Sequence, residues 1–277
     1  MPTTLIHSPA LTEHQIQHIT QALGGEPVAY ARHFRVEHEH TPSPATLDAL
    51  RETCQLDINT LPADFEPQTV RLLITDMDST LINIECVDEI ADFVGVKPQV
   101  SAITEAAMRG ELDFAASLKK RVALLKGLDV SALQHVYDEC LRLNPGAETL
   151  IAGLKAHGIK MALVSGGFTF FTERLQQRLQ IDFTLANVLA KKDGKLEGHV
   201  EGEIVGAEAK AAFLQQLCNE MHISLQQVIA VGDGANDLKM LSLAGLGVAY
   251  HAKPTVRTQA DVSIQFGGLD TVLDFLE

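Results

Sequence analysis

The chain has 277 residues, 46% hydrophobic and 21% charged, enough for one large soluble domain with smaller pieces attached. Asp and Glu outnumber Lys and Arg by 36 to 22, a formal net charge of −14, which argues against a general nucleic-acid or anionic-membrane surface. An anionic substrate must therefore be met by cations placed locally. The N-terminal stretch lacks a basic region followed by an apolar one, so no signal peptide is expected. No apolar run approaches the roughly 20 residues of a membrane span. The cysteines at 54, 86, 140 and 218 form no CxxC pair, so neither a zinc site nor a disulfide framework is indicated. Reduced thiols in a cytoplasmic protein are the expectation.

Residues 1–66 read as a small α+β unit. Thr4–His7, Val28–Glu37 and Leu56–Leu61 suggest strands, and Leu11–Leu23 and Pro44–Cys54 suggest helices, a βαβαβ sketch. His38 and His40 would share one face of an extended segment, a spacing that can bind metal; solvated strand-end residues are the simpler reading. Pro62 and Pro67 mark a linker.

Leu72, Leu73 and Ile74 then form an apolar run without polar alternation, as a parallel strand buried on both faces requires. It ends in Asp76 and Asp78, at the strand's carboxyl end, where open α/β sheets place their chemistry. Two carboxylates this close repel, and a divalent cation such as magnesium would hold them together. On this stretch alone, a strand followed by an acidic turn is the simpler reading.

From Ile82 to Gly146 the chain reads as helices only. The segments are Ile84–Val94, Val96–Met108, Phe114–Leu125 capped by Asp113, and Ala132–Leu141 capped by Ser131. Such an insertion after a catalytic-looking strand suggests a helical cap over residues 82–146. Strands and helices then alternate. Met161–Val164 ends in Ser165-Gly166-Gly167, and Lys192-Asp193-Gly194-Lys195 marks a hairpin. A helix opens at Lys210, Val228–Val231 ends in GDGAND, and Leu246–Ala249 is expected as a last short strand. This alternation implies a doubly wound parallel sheet, Rossmann-type, over 67–81 and 147–277.

Three apolar strands thus end in candidate chemistry: DMDST, VSGGF and VGDGAND. In a parallel sheet such ends share one edge and can converge on a crevice. Taken singly, Ser165-Gly166-Gly167 is a turn, Lys210 a solvated helix lysine and GDGAND a turn with an N-cap. Together they are a kit for phosphoryl transfer, which needs an in-line nucleophile, magnesium and donors for the equatorial oxygens.

The set resembles the haloacid dehalogenase superfamily of phosphohydrolases, which has these motifs in this order. The stretches DMDSTLINIECVDEIA, AAMRGELDFAASLKKRVALLKG, VSGGFTFF and VGDGANDLKM are most similar to its phosphoserine-hydrolysing members, over about residues 70 to 277. The resemblance implies an α/β core of that family, a helical cap and Mg2+ as cofactor. It makes Asp76 the nucleophile and Asp78 the general acid and base. Asp76, the backbone carbonyl of Asp78, and Asp233 would be the metal ligands. Ser165, Gly166, Lys210 and Asn236 would bind phosphate, with Gly167 and Asp237 in support. In the cap, Arg121 would clamp the substrate carboxylate, Glu85 would face its ammonium, and Met108 and Phe114 would line the lid. From composition alone, Glu85 and Arg121 are surface charges and the two apolar residues are core packing.

The activity implied is hydrolysis of phosphoserine, the last step of serine biosynthesis, on a small-molecule substrate with no nucleic-acid or membrane partner. A homodimer is compatible with it. The alternatives are transfer of the phosphoryl group to an alcohol such as homoserine, or a non-catalytic metabolite-binding regulator. Some bacterial members carry a regulatory ACT-like βαββαβ fold ahead of the core. Residues 1–66 would be a degenerate version, one strand short, and dispensable for chemistry because every motif lies beyond Arg71.

Overall fold

The computed structural model describes residues 2–108 and 111–277; the side chain of Met108, an expected lid residue, lies outside the described residues. Two compact units share the chain: Met1–Leu73, Pro145–Lys160 and Cys218–Glu277 form one, and Ile74–Asn144 and Met161–Leu217 the other.

The first unit opens with β1 (Thr3–His7), α1 (Glu13–Leu23), β2 (Val28–Ala29), β3 (Phe34–Glu37), α2 (Pro44–Cys54) and β4 (Asp57–Thr60). The four strands lie in the order β2-β3-β1-β4, all paired antiparallel, which is a complete βαββαβ arrangement. The single strand expected over Val28–Glu37 is two. The chain turns between them, where the Tyr30 N–H donates to the His33 carbonyl at 2.8 Å. Thr12 and Gln15 close a capping box on α1, and Gly24 ends it in the left-handed region. Ser43 caps α2, with Pro44 in its first turn. Ile6, Ile19, Val36, Leu50 and Ile58 form the core between sheet and helices. His38 is buried rather than solvated: its ring nitrogens meet Thr4 Oγ1 and the His40 carbonyl, each at 2.8 Å. It is a satisfied core histidine, not a ligand.

The chain then enters β5 (Leu72–Thr75), whose Leu72, Leu73 and Ile74 are fully buried. Each such side chain contributes about 2 kcal/mol of apolar transfer. The helices α3 (Cys86–Phe93), α4 (Lys97–Met108), α5 (Phe114–Ala123) and α6 (Ser131–His135) follow, with α6 continuing as wider turns over Val136–Cys140. Asp113 caps α5 by accepting from the Ala116 N–H at 2.7 Å. Next come α7 (Ala147–Ala156), β6 (Lys160–Phe168), α8 (Thr169–Leu179), β7 (Phe183–Lys192), β8 (Lys195–Glu201) and α9 (Ala207–Met221). The remainder is β9 (Val228–Gly232), α10 (Leu238–Leu243), β10 (Leu246–Tyr250), α11 (Pro254–Arg257), β11 (Val262–Ile264) and a 3-10 segment over Leu269–Leu276. α9 starts three residues before Lys210, which therefore stands one turn inside the helix.

The large sheet has the order β11-β10-β9-β5-β6-β7-β8. β10 runs parallel to β9 and β11, β6 runs parallel to β7, and β7–β8 is the antiparallel hairpin anticipated at Asp193-Gly194. β11 is a strand beyond the expected last one.

Within the first unit, β4 lies against β11 through side chains. The Asn59 amide donates to the Ser263 carbonyl and accepts from the Ser263 N–H, both at 2.9 Å. The buried Asp57 carboxylate accepts from the successive N–H groups of Gln265, Phe266 and Gly267, its shortest contacts being 2.6 and 2.7 Å. Arg32 bridges Asp270 and Asp274 at 2.7 and 3.1 Å.

Candidate active site

Asp76 follows β5 directly and is buried. Its Oδ1 lies 2.5 Å from Nζ of Lys210, which has no exposure to water. Burial of a lysine is tolerated only with a partner of opposite charge, so this pair fixes both groups where β5 ends.

Beyond Asp76 the chain turns sharply. Ser79 adopts φ 57°, ψ −5°, a left-handed conformation that costs a non-glycine residue energy and tends to mark functional sites. Its hydroxyl donates to Glu85 Oε1 at 2.8 Å. Asn144 holds the same turn from outside: its amide donates to the Thr80 carbonyl at 2.8 Å and reaches those of Ser79 and Ile82. Residues Ile82 and Leu143 bridge antiparallel, so the two passes between β5 and the cap helices are tied together.

Asp78 is positioned by its surroundings. Its Oδ1 accepts from the Cys86 N–H at 3.1 Å, and the Ser165 hydroxyl points to its Oδ2 at 3.5 Å. Ser165 is fully buried within β6, which runs on past the expected end at Val164 to Phe168, and its Oγ accepts from the Gly167 N–H at 2.8 Å. Two glycines are required here by space. A methyl group on Gly167 would stand 2.7 Å from Asp78 Oδ2, and one on Gly166 would stand 2.7 Å from the Phe114 ring. Phe114, at the start of α5, thus packs directly on the backbone expected to bind phosphate.

Glu85 is open to solvent, yet its carboxyl is pushed up to about 7. Partial loss of hydration is the main cause, joined by repulsion from Asp78 and Asp88, against the pull of the Ser79 hydroxyl and the Arg121 charge. The Nε of Arg121 is buried and makes no hydrogen bond. An unspent guanidinium donor beside a carboxylate suits a ligand carrying both charges. The thiol of Cys86, buried beside Asp78, is pushed well up and is inert as a nucleophile.

In the first unit, Asp233, Asn236 and Asp237 follow β9. Asp237 is buried and accepts from the Gly234 N–H at 3.0 Å. A methyl group on Gly232 would stand 2.5 Å from Asp237 Cγ, so the turn closes only with glycine there. Asp233 and Asp237 here, like Asp76 after β5, offer carboxylate oxygens, the donor type that a hard divalent cation takes.

Two positioning residues escape the motif reading. Asn187, buried within β7, donates to the Gly166 carbonyl at 2.8 Å and accepts from the Val205 N–H at 2.9 Å. It links the Gly166 peptide to the segment that leads into α9 and Lys210. Its signal was an amide inside the apolar run Phe183–Ala190. Asn144 is the other, hidden in a segment that reads as a helix breaker.

The family model for haloacid dehalogenase-like hydrolases matches residues 70–245. The chain belongs to that family. A phosphoserine phosphatase of Polaromonas is 53% identical over 227 residues, covering 80% of this chain and 96% of that protein. The crystal structure of a probable phosphoserine phosphatase from Vibrio cholerae, 37% identical, superposes with a TM-score of 0.86 over 99% of this chain and 86% of that one. A phosphoserine phosphatase solved as a phospho-aspartyl intermediate analogue is 41% identical, with a TM-score of 0.71 over 75% of this chain and 99% of its own. The fold of this family, a mostly parallel sheet with helices, is the one anticipated. Among the described residues, no helix is long and apolar enough to cross a membrane.

Proposed function

We propose that this chain hydrolyses O-phosphoserine to serine and inorganic phosphate, with the phosphoryl group carried transiently on Asp76. The observation that supports it most is the buried Asp76–Lys210 pair at 2.5 Å, with Asp78 facing the Ser165 hydroxyl on the neighbouring strand. In the first step an Asp76 oxygen attacks phosphorus and the bond to the serine oxygen breaks. Asp78, protonated, gives its proton to the departing oxygen. In the second step water attacks phosphorus, Asp78 takes its proton, and the Asp76–phosphorus bond breaks. Lys210, Ser165, the Gly166 N–H and Asn236 hold the phosphoryl oxygens.

The all-oxygen donor set fits magnesium, which Asp76, the carbonyl of Asp78, and Asp233 would hold, with Asp237 in support. When bound, magnesium offsets the charge between an anionic nucleophile and an anionic substrate. Arg121 and Glu85 read the carboxylate and ammonium of the substrate, and Phe114 closes over them. The four cysteines are free thiols, in keeping with the cytoplasm, where we place this last step of serine biosynthesis. We read 1–66 as an ACT-like accessory unit, 82–146 as the cap, and 67–81 with 147–277 as the catalytic core.

Phosphate release from a panel of small phosphomonoesters, with and without homoserine as acceptor, tests this reading. The expected result is preference for phosphoserine, dependence on magnesium, and no diversion to homoserine. Transfer to homoserine, or equal rates on all esters, would overturn it.

A further inference from the structure

The outer side of α1 carries two imidazoles that the phosphate chemistry does not use. His14 and His18 stand four residues apart and so occupy one side of the helix. Their rings meet edge to face, with centroids 4.3 Å apart and planes at 64°. Their Nε2 atoms are 3.0 Å apart. The platform is firm: α1 is capped at both ends, and Ile19 and Leu23 anchor its other side in the core. His14 is exposed, and His18 borders a shallow groove toward α2, with Thr46, Ala49 and Thr53 on its far wall.

Two ring nitrogens this close, on successive turns of one helix side, are within reach of a single ion. With metal–nitrogen bonds of about 2.05 Å, a nitrogen separation of 3.0 Å subtends about 94° at the metal. Imidazole nitrogens suit copper(II) and nickel(II), which stand high in the order of divalent-metal affinities and take nitrogen and oxygen ligands. We propose that His14 and His18 form a site for a divalent transition-metal ion of the copper(II)–nickel(II) class, bound through both Nε2 atoms with water completing the shell.

In the ion's absence the short contact is a hydrogen bond, one Nε2 protonated and the other bare. Binding requires that proton to leave Nε2; in neutral rings it moves to Nδ1, so each ring keeps one proton and offers one lone pair. Magnesium, which takes oxygen ligands, does not compete. The formal net charge of −14 favours approach of any cation. The pair shares no residue with the phosphate-binding set and does not depend on the proposed activity.

The test is calorimetric titration of the full chain with nickel chloride near neutral pH, in wild type, His14→Gln and His18→Gln. In wild type a saturable nickel-binding component is expected that each variant weakens about tenfold or more as chelation is lost, beside any binding at the carboxylates that all three proteins share. Nickel should raise the melting temperature of wild type more than that of either variant, while melting without metal and phosphate release in magnesium stay unchanged. Excess magnesium should leave the component that the variants lose as it was. Equal nickel affinity in wild type and both variants, or no saturable binding in wild type, would overturn the assignment.

Discussion

A lysine without access to water is costly, and Lys210 offsets that cost with the Asp76 carboxylate at 2.5 Å. Removing one partner leaves the other charge buried, so Lys210→Met should cost about 3–5 kcal/mol of stability by urea denaturation and abolish phosphate release. Arg121 acts where substrates differ. Every phosphomonoester has the same phosphate, whereas phosphoserine adds a carboxylate and an ammonium. Arg121→Ala should lower the specificity constant for phosphoserine by about 2–4 kcal/mol, and p-nitrophenyl phosphate far less. A parallel fall on both substrates would assign Arg121 to the fold. Glu85 gives a pH signature. Its folded-state pKa is raised from 4.5 to about 7, so the folded chain binds the extra proton between those values. That contribution to stability is present below about pH 4.5 and is lost as pH rises through about 7. Wild type should therefore lose more stability than Glu85→Gln between pH 5 and 8 in magnesium-free buffer. The motif side chains were legible because their chemistry recurs at successive strand ends. Asn144 and Asn187 were not, since a single amide carries no periodic signature.

At the scale of elements, β5, β6 and β9 could be read from their apolar runs, because strands buried on both faces leave little else to be. β2 and β11 were missed for a physical reason: two and three residues are too few for alternation to show. Their existence depends on partners, β3 for one and β10 for the other. Helix starts also shifted, as with α9, where nothing in the sequence marks Ala207 over Lys210. β7 carries an expectation of its own through Asn187, which serves the Gly166 carbonyl and the Val205 N–H at once. Asn187→Ala leaves both without that partner. It should cost about 1–3 kcal/mol by thermal or urea melts and raise KM for phosphoserine more than it lowers kcat. Unchanged KM with reduced stability would make Asn187 structural only.

For the whole molecule, the N-terminal βαββαβ unit was legible as α+β, but its fourth strand and its anchoring were not. Asp57, Asn59 and Arg32 read as ordinary polar residues. In the fold they meet backbone groups at 263–267 and the carboxylates of Asp270 and Asp274. Asn59 meets the backbone of β11, an edge strand, which is one way proteins protect such edges. A chain beginning at Pro67 should keep the chemistry, since every motif lies beyond it, yet melt lower and aggregate more readily. Asp57→Ala in the full chain should lower the melting temperature by several degrees, on the order of 2–4 °C per kcal/mol lost. The central claim is that phosphate passes through Asp76. Acid quenching of turnover on phosphoserine labelled in its phosphoryl group, followed by peptide mapping, tests it most directly. The label should be found as an acyl phosphate on the peptide containing Asp76 and be absent in Asp76→Asn. Label on Ser165 or a histidine, or undiminished turnover in Asp76→Asn, would contradict it.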